Sequence, residues 1–196
     1  MPGKNEPLTA AEAAEYTAAY KKGSDLLLKH INLHEQEPTA APNKEAELRE
    51  GLGLLQRAVA LQPRSWPAHW LIGKAHQALS DHPRACEAFR QATRLCQGNS
   101  DVPRELCLEC LQLGHFREAV EAARLAVRAD RSDPGLLANL ALALVLAGDV
   151  AEARDLAEQA AARSPQDEIN RNLLAVIREV QDGRRPPPKT LAELEA

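Results

Sequence analysis

The chain has 196 residues, 44% of them hydrophobic but only 3% aromatic, which leaves a core of one or two domains to be built from Ala and Leu. Its formal charge is −4, from 24 Lys+Arg against 28 Asp+Glu, and this argues against nucleic acid as the main ligand. No apolar run long enough for a membrane span is present, and the start Met1-Pro-Gly-Lys-Asn-Glu-Pro lacks a signal-peptide stretch, so the cytoplasm is the expected compartment.

In chain order, residues 1–8 read as a disordered lead. Thr9-Ala-Ala-Glu12 has the form of a capping box, so a helix is expected from there to about Ile31. Its interior Gly23-Ser24 is a weak point, costing about 1 kcal/mol against Ala. Asn32 to Asn43 contains Pro38 and Pro42 and no apolar period, which makes 32–43 a loop. A second helix is expected from about Lys44 to Leu61, closed by Pro63. Further on, Pro67, Pro103 and Pro134 mark first turns, where a missing N–H is tolerated. Asp133 is placed to cap the helix at Pro134, and Asp149-Val-Ala-Glu152 has the form of another capping box. The stretch Pro134 to Ala147 is apolar nearly all round, which predicts neighbours on most sides. A helix from Asp167 to about Val180 sets Glu168, Arg171, Arg178 and Glu179 against Leu173, Leu174 and Ile177, and Asp182-Gly183 ends it. Arg184-Arg-Pro-Pro-Pro-Lys189 reads as an extended linker, and Thr190-Leu-Ala-Glu193 as the start of a short last helix.

From Trp66 to Asp167 residue types recur every 34 positions: Ala85, Ala119 and Ala153; Ala92, Ala126 and Ala160; Phe89, Ala123 and Ala157; Ser80, Gly114 and Gly148. A period in this range is the mark of a solenoid or similar array, expected as one elongated body, and each unit reads as two short helices. Gly51, Leu55, Ala58 and Pro63 extend the register backwards. The first half of that unit is out of frame: Gly23 lies 16 residues ahead of position 39, the place 34 before Gly73. Residues 9–65 therefore read as a unit lengthened by the 32–43 connection, and loops of that length are uncommon.

These columns resemble the tetratricopeptide repeat family. The small residue midway along the first helix of each unit is matched by Gly73, Cys107 and Ala141; the Ala early in the second by Ala85, Ala119 and Ala153; the aromatic four residues later by Phe89; and the late Pro by Pro165. The first-helix aromatics are replaced by His69 and His76, Pro103 and Cys110, and Leu137 and Leu144. The resemblance implies an all-α, right-handed α-solenoid of stacked antiparallel helix pairs. In it 9–65 is a divergent repeat, 66–99, 100–133 and 134–167 are repeats, 168–183 is a capping helix, and 184–196 is a Pro-rich linker and tail.

Catalytic chemistry finds little support. No glycine-rich phosphate loop or Gly-x-Ser-x-Gly elbow is present. Cys107-Leu-Glu-Cys110 has the spacing of half a zinc or redox motif but lacks a second pair, and Cys107 fits the small-residue slot better as a buried hydrophobe. All four cysteines, with Cys86 and Cys96, are expected as reduced thiols. His30 and His34, beside Glu35 and Glu37, would make a metal pair only if helical, and no third ligand is specified. His69 and His76 are expected to pack with one polar tip. Glu118, Glu121, Arg124 and Arg128 read as a solvated, paired helix face. The Arg184–Lys189 segment could form polyproline II, with a plain spacer as its simpler role. Neither metal nor cofactor is assigned, and no enzyme activity.

What the resemblance implies instead is a non-catalytic protein–protein interaction scaffold with a protein or peptide partner, as a monomer or weak homo-oligomer. The first helices of such repeats line a groove. Family geometry points inward Trp70, Lys74 and Gln77; Asp101, Arg104, Glu105, Leu108 and Gln112; Ala138, Asn139, Leu142 and Val145; and Asn172 and Val176. This groove is mixed at its centre and apolar toward its end, and suits an extended peptide or amphipathic helix. The two-carboxylate clamp of heat-shock co-chaperones does not fit: in its three frames the slots hold Tyr20, Ser24, Leu71, Asp101 and Glu105; or Trp70, Lys74, Glu105, Gly135 and Asn139; or Arg104, Leu108, Asn139, Ile169 and Leu173. A bacterial secretion chaperone guarding an apolar export segment, and a metal protein at His30 and His34, are the alternatives.

Overall fold

Thr9 opens α1 (Ala10–Leu28) with the two-way cap that its sequence predicts: the Glu12 N–H donates to Thr9 Oγ1 at 3.3 Å, and the Thr9 N–H donates to Glu12 Oε2 at 2.9 Å. The computed structural model describes residues 7–31 and 43–195, so nearly all of the expected 32–43 loop lies outside the described residues. The chain divides into two compact units, 1–96 and 97–196.

In the first unit α1 packs on α2 (Lys44–Leu61), α2 on α3 (Trp66–Ala78), and α3 on α4 (His82–Leu95). The Gly23-Ser24 weak point is where α1 meets α2. A Cβ on Gly23 would lie 3.1 Å from the Gly51 carbonyl oxygen and 3.0 Å from Leu55, and one on Gly51 would lie 3.0 Å from the Gly23 oxygen. The two backbones touch, so the propensity lost at Gly23 is returned as close packing around the fully buried Leu27 and Leu55. Each such leucine contributes about 1.5–3 kcal/mol. The α3/α4 pair solves the same problem differently. Phe89, with no exposed surface, lays its ring where a Cβ on Gly73 would come within 2.5 Å.

In the second unit α5 (Asp101–Gln112) pairs with α6 (Phe116–Ala129), and α7 (Pro134–Ala147) with α8 (Val150–Arg163). After these come α9 (Glu168–Gln181) and the short α10 (Ala192–Glu195). Helix α7 touches α5, α6, α8 and α9, which explains its apolar circumference: Leu136, Leu137, Leu140, Leu144, Val145 and Leu146 are all buried.

Helices α3, α5, α7 and α9 end in one way. The N–H groups of Asp81, His115, Asp149 and Arg184 donate to the carbonyls of His76, Cys110, Leu144 and Glu179, five residues back, at 2.8, 2.8, 2.9 and 2.9 Å. The residue before each donor is left-handed: Ser80 (φ 58°), Gly114 (74°), Gly148 (95°) and Gly183 (71°). This turn satisfies helix-end carbonyls and asks for a residue without a Cβ penalty, which accounts for the Ser80, Gly114 and Gly148 column. Ser80 is the one side chain held there, at a cost of about 1–2 kcal/mol.

One predicted cap is absent. Asp133 and Asp167 accept N–H groups of the first turns of α7 and α9, but Asp149 makes no side-chain cap bond to α8. Glu152, the expected reciprocal acceptor, is held by Arg124 of α6 at 2.7 Å.

Candidate functional site

The residues that family geometry points inward lie on two faces, one in each unit. On α3, Trp70 is half-buried against the Leu71–Ile72 core, its indole N–H buried without a hydrogen-bond partner. One turn on, Lys74 Nζ donates to Gln77 Oε1 at 2.6 Å. In the second unit α5, α7 and α9 follow one another, α7 touching both others. Asp101, Leu108 and Gln112 are exposed on α5, Leu108 at 37%, while Arg104 is partly covered with its guanidinium 4.0 Å from Asp101. Asn139 and Leu142 are partly exposed on α7, Asn172 is exposed on α9, and Val176 is partly exposed.

Three inward residues are not available as they stand. Val145 has no exposed surface and Glu105 has 7%; Ala138 is equally covered. Val145 faces the crowded side of a helix with four neighbours, a fact that the one-dimensional pattern of an all-apolar segment cannot show. The sequence reading also missed Ile169, 78% exposed in the first turn of α9. Its signal is the seven-residue spacing to Val176, which puts both on one helical line.

Other candidates resolve into structural roles. His34 lies outside the described residues, and His30 Nε2 meets Glu47 Oε2 at 2.7 Å, tying the end of α1 to α2. That bond, with help from Lys29, holds the Glu47 carboxyl below the usual range against the opposing effect of burial. His69 Nε2 donates to the Pro63 carbonyl at 2.9 Å. Cys107 is fully buried, and burial pushes its thiol up to about 12, which makes it an inert packing group. All four cysteines are unbridged. The charged face of α6 does not pair within itself at Arg124 or Arg128. Arg124 reaches across to Glu152, and Arg128 makes no ion pair among the described residues. Arg124, Arg128, Arg131 and Arg163 instead rim a depression of about 470 Å³ whose wall includes Leu137, Leu140 and Leu156.

Helix pairs joined by short left-handed turns, with small residues where the helices cross, define the class of helical-repeat proteins. A tetratricopeptide repeat profile matches residues 45–100 and 109–168, more than half of the 196 residues, and the chain belongs to the tetratricopeptide repeat family. No curated protein matches the sequence. Among solved structures, YrrB, described as a TPR protein with an unusual peptide-binding site, aligns with a TM-score of 0.65 at 18% identity, over 76% of this chain and 77% of that one. MamA from Desulfovibrio magneticus RS-1 aligns with a TM-score of 0.69 at 13% identity, over 92% and 93%. The first TPR of Spaghetti (RPAP3), bound to an HSP90 peptide, aligns with a TM-score of 0.56 at 17% identity, over 61% and 94%. Identities this low show a shared fold. No helix among the described residues is long and apolar enough to cross a membrane.

Proposed function

We propose that the protein is a non-catalytic interaction scaffold that holds an extended peptide or a helix of a partner protein on the α5–α7–α9 face of its second unit. The observation that carries this reading is a set of apolar side chains on these helices, Leu108 and Ile169 exposed and Leu142 and Val176 partly exposed, with Arg104, Asn139 and Asn172 beside them in sequence. Large exposed apolar groups flanked by polar ones mark interaction sites, and the arrangement offers anchors for alternate side chains with amides for a peptide backbone. YrrB and the RPAP3 repeat are described as peptide-binding proteins of this fold, which supports the general class of partner. The α3 residues Trp70, Lys74 and Gln77 form the first unit's own face for the same purpose. Four unbridged thiols are consistent with a reducing, cytoplasmic setting.

The test is affinity purification from the producing cell with wild-type protein and the variants Leu142→Glu and Arg104→Glu, each checked by circular dichroism. A partner held by wild type and lost from both variants supports this face. If both retain every partner, the reading fails. Arg128→Glu, at the rim of the arginine-lined depression, serves as a comparison: selective loss there would move the site to α6 and α8.

A further inference from the structure

The left-handed turn that ends α3, α5 and α7 gathers the same three places of the register: a residue near the end of the helix, the residue five further on, and the residue eight further on. After α3 they hold His76, Asp81 and Arg84: His76 Nδ1 lies 3.7 Å from Asp81 Oδ2, and Arg84 Nη1 pairs with the same oxygen at 2.9 Å. After α7 they hold Leu144, Asp149 and Glu152, with Glu152 drawn away to Arg124. After α5 they hold Cys110, His115 and Glu118, whose ligand atoms all lie within 4.8 Å of one another.

We propose that Cys110, His115 and Glu118 form a divalent-metal site of the zinc type. Thiolate, imidazole and carboxylate are the three ligand chemistries that zinc takes, at about 2.0–2.3 Å each in tetrahedral geometry. Donors within 4.8 Å need only a small side-chain movement to close on one ion. These three donors fill three of the four positions of a tetrahedral zinc ion. The support beneath them is rigid: the His115 N–H donates to the Cys110 carbonyl at 2.8 Å, so the thiol and the imidazole spring from the two ends of one hydrogen bond. Cys110 has no exposed surface, while His115 is exposed, so an ion reaches the set from the histidine side. Spacing alone would pair Cys107 with Cys110, but the small-residue slot already claims Cys107 in the sequence. The structure gives Cys107 to the helix-crossing slot and places Cys110 with donors five and eight residues on. On binding, the Cys110 thiol loses its proton to buffer, a thiolate–metal bond forms, and no electron transfer occurs.

The test is metal titration of the full chain, stripped with chelator and kept reduced, with zinc followed by calorimetry and cobalt followed by absorption. The expected result is one metal per chain, a near-ultraviolet thiolate-to-cobalt charge-transfer band, and a binding enthalpy that varies with buffer ionisation because a proton is released. His115→Ala and Cys110→Ser should each lose stoichiometric binding, and Cys110→Ser the charge-transfer band as well. Cys107→Ala should keep both. His115→Ala changes an exposed residue, so its failure to bind cannot be ascribed to unfolding when its circular dichroism matches wild type. Absence of stoichiometric metal in wild type, binding unaffected by His115→Ala, or cobalt binding without a thiolate band would each overturn the proposal.

Discussion

The α1/α2 and α3/α4 pairs of the first unit and the α5/α6 and α7/α8 pairs of the second close the same helix crossing with different side chains. The first unit sets glycine against a large residue: Gly23 meets Leu55, and Gly73 meets Phe89. The second sets two small residues in the matching places, Cys107 with Ala123 and Ala141 with Ala157, all essentially without exposed surface. The register therefore constrains the fit of a pair of positions, not the residue at either one. A close-packed interior makes that constraint sharp, because one methyl too many or too few is felt at once.

The largest expected effect comes from emptying one of the large partners. Phe89→Ala should destabilise the protein by about 3–5 kcal/mol, since glycine opposite cannot fill the void. Adding Gly73→Cys to Phe89→Ala imitates the α5/α6 arrangement and should restore part of the loss. A double variant no more stable in urea than the single one would show that the two pairs do not follow a common volume rule. In the other direction, Ala141→Leu overfills the second unit's crossing and should cost about 1–3 kcal/mol, read as a lower thermal midpoint. An unchanged midpoint would mean that α7 and α8 have slack that α3 and α4 lack.

A smaller gain is expected at the turn. Gly114 and Gly148 carry the left-handed conformation freely and Ser80 does not, so Ser80→Gly should stabilise by about 1 kcal/mol. A neutral or destabilising outcome would mean that the serine hydroxyl compensates the strain. The smallest effect concerns pH. Burial, and secondarily Arg84, hold His76 below its ordinary 6.5 despite the opposing Asp81. Above 6.5 both folded and unfolded chains keep this imidazole neutral. As pH falls through 6.5 toward the folded value the unfolded chain takes up the proton first, so this contribution to stability is lost over that interval and levels off below it. His76→Gln should flatten that part of a urea-midpoint profile. An identical slope in the variant would assign the acid sensitivity to carboxylates such as Glu47, whose lowered pKa acts in a more acidic range.

The sequence by itself determined the helices, most of their ends and the places where they cross. These are local or periodic properties. Thr9, Asp133 and Asp167 cap within their own first turns, Gly114 and Gly148 announce a left-handed residue, and the 34-residue spacing aligns Gly73 with Cys107 and Ala141. Tertiary structure decided what lies uncovered and which side chains meet across elements. Asp149-Val-Ala-Glu152 has every local feature of a capping box, yet Arg124 of another helix claims the glutamate. Val145 and Leu142 read alike within α7, and only the four neighbours of that helix bury one and leave the other in part exposed. Cys110 is three residues from Cys107, but the α5 turn folds His115 and Glu118 onto it instead, because a hydrogen bond across five residues brings together groups that spacing along the chain holds apart.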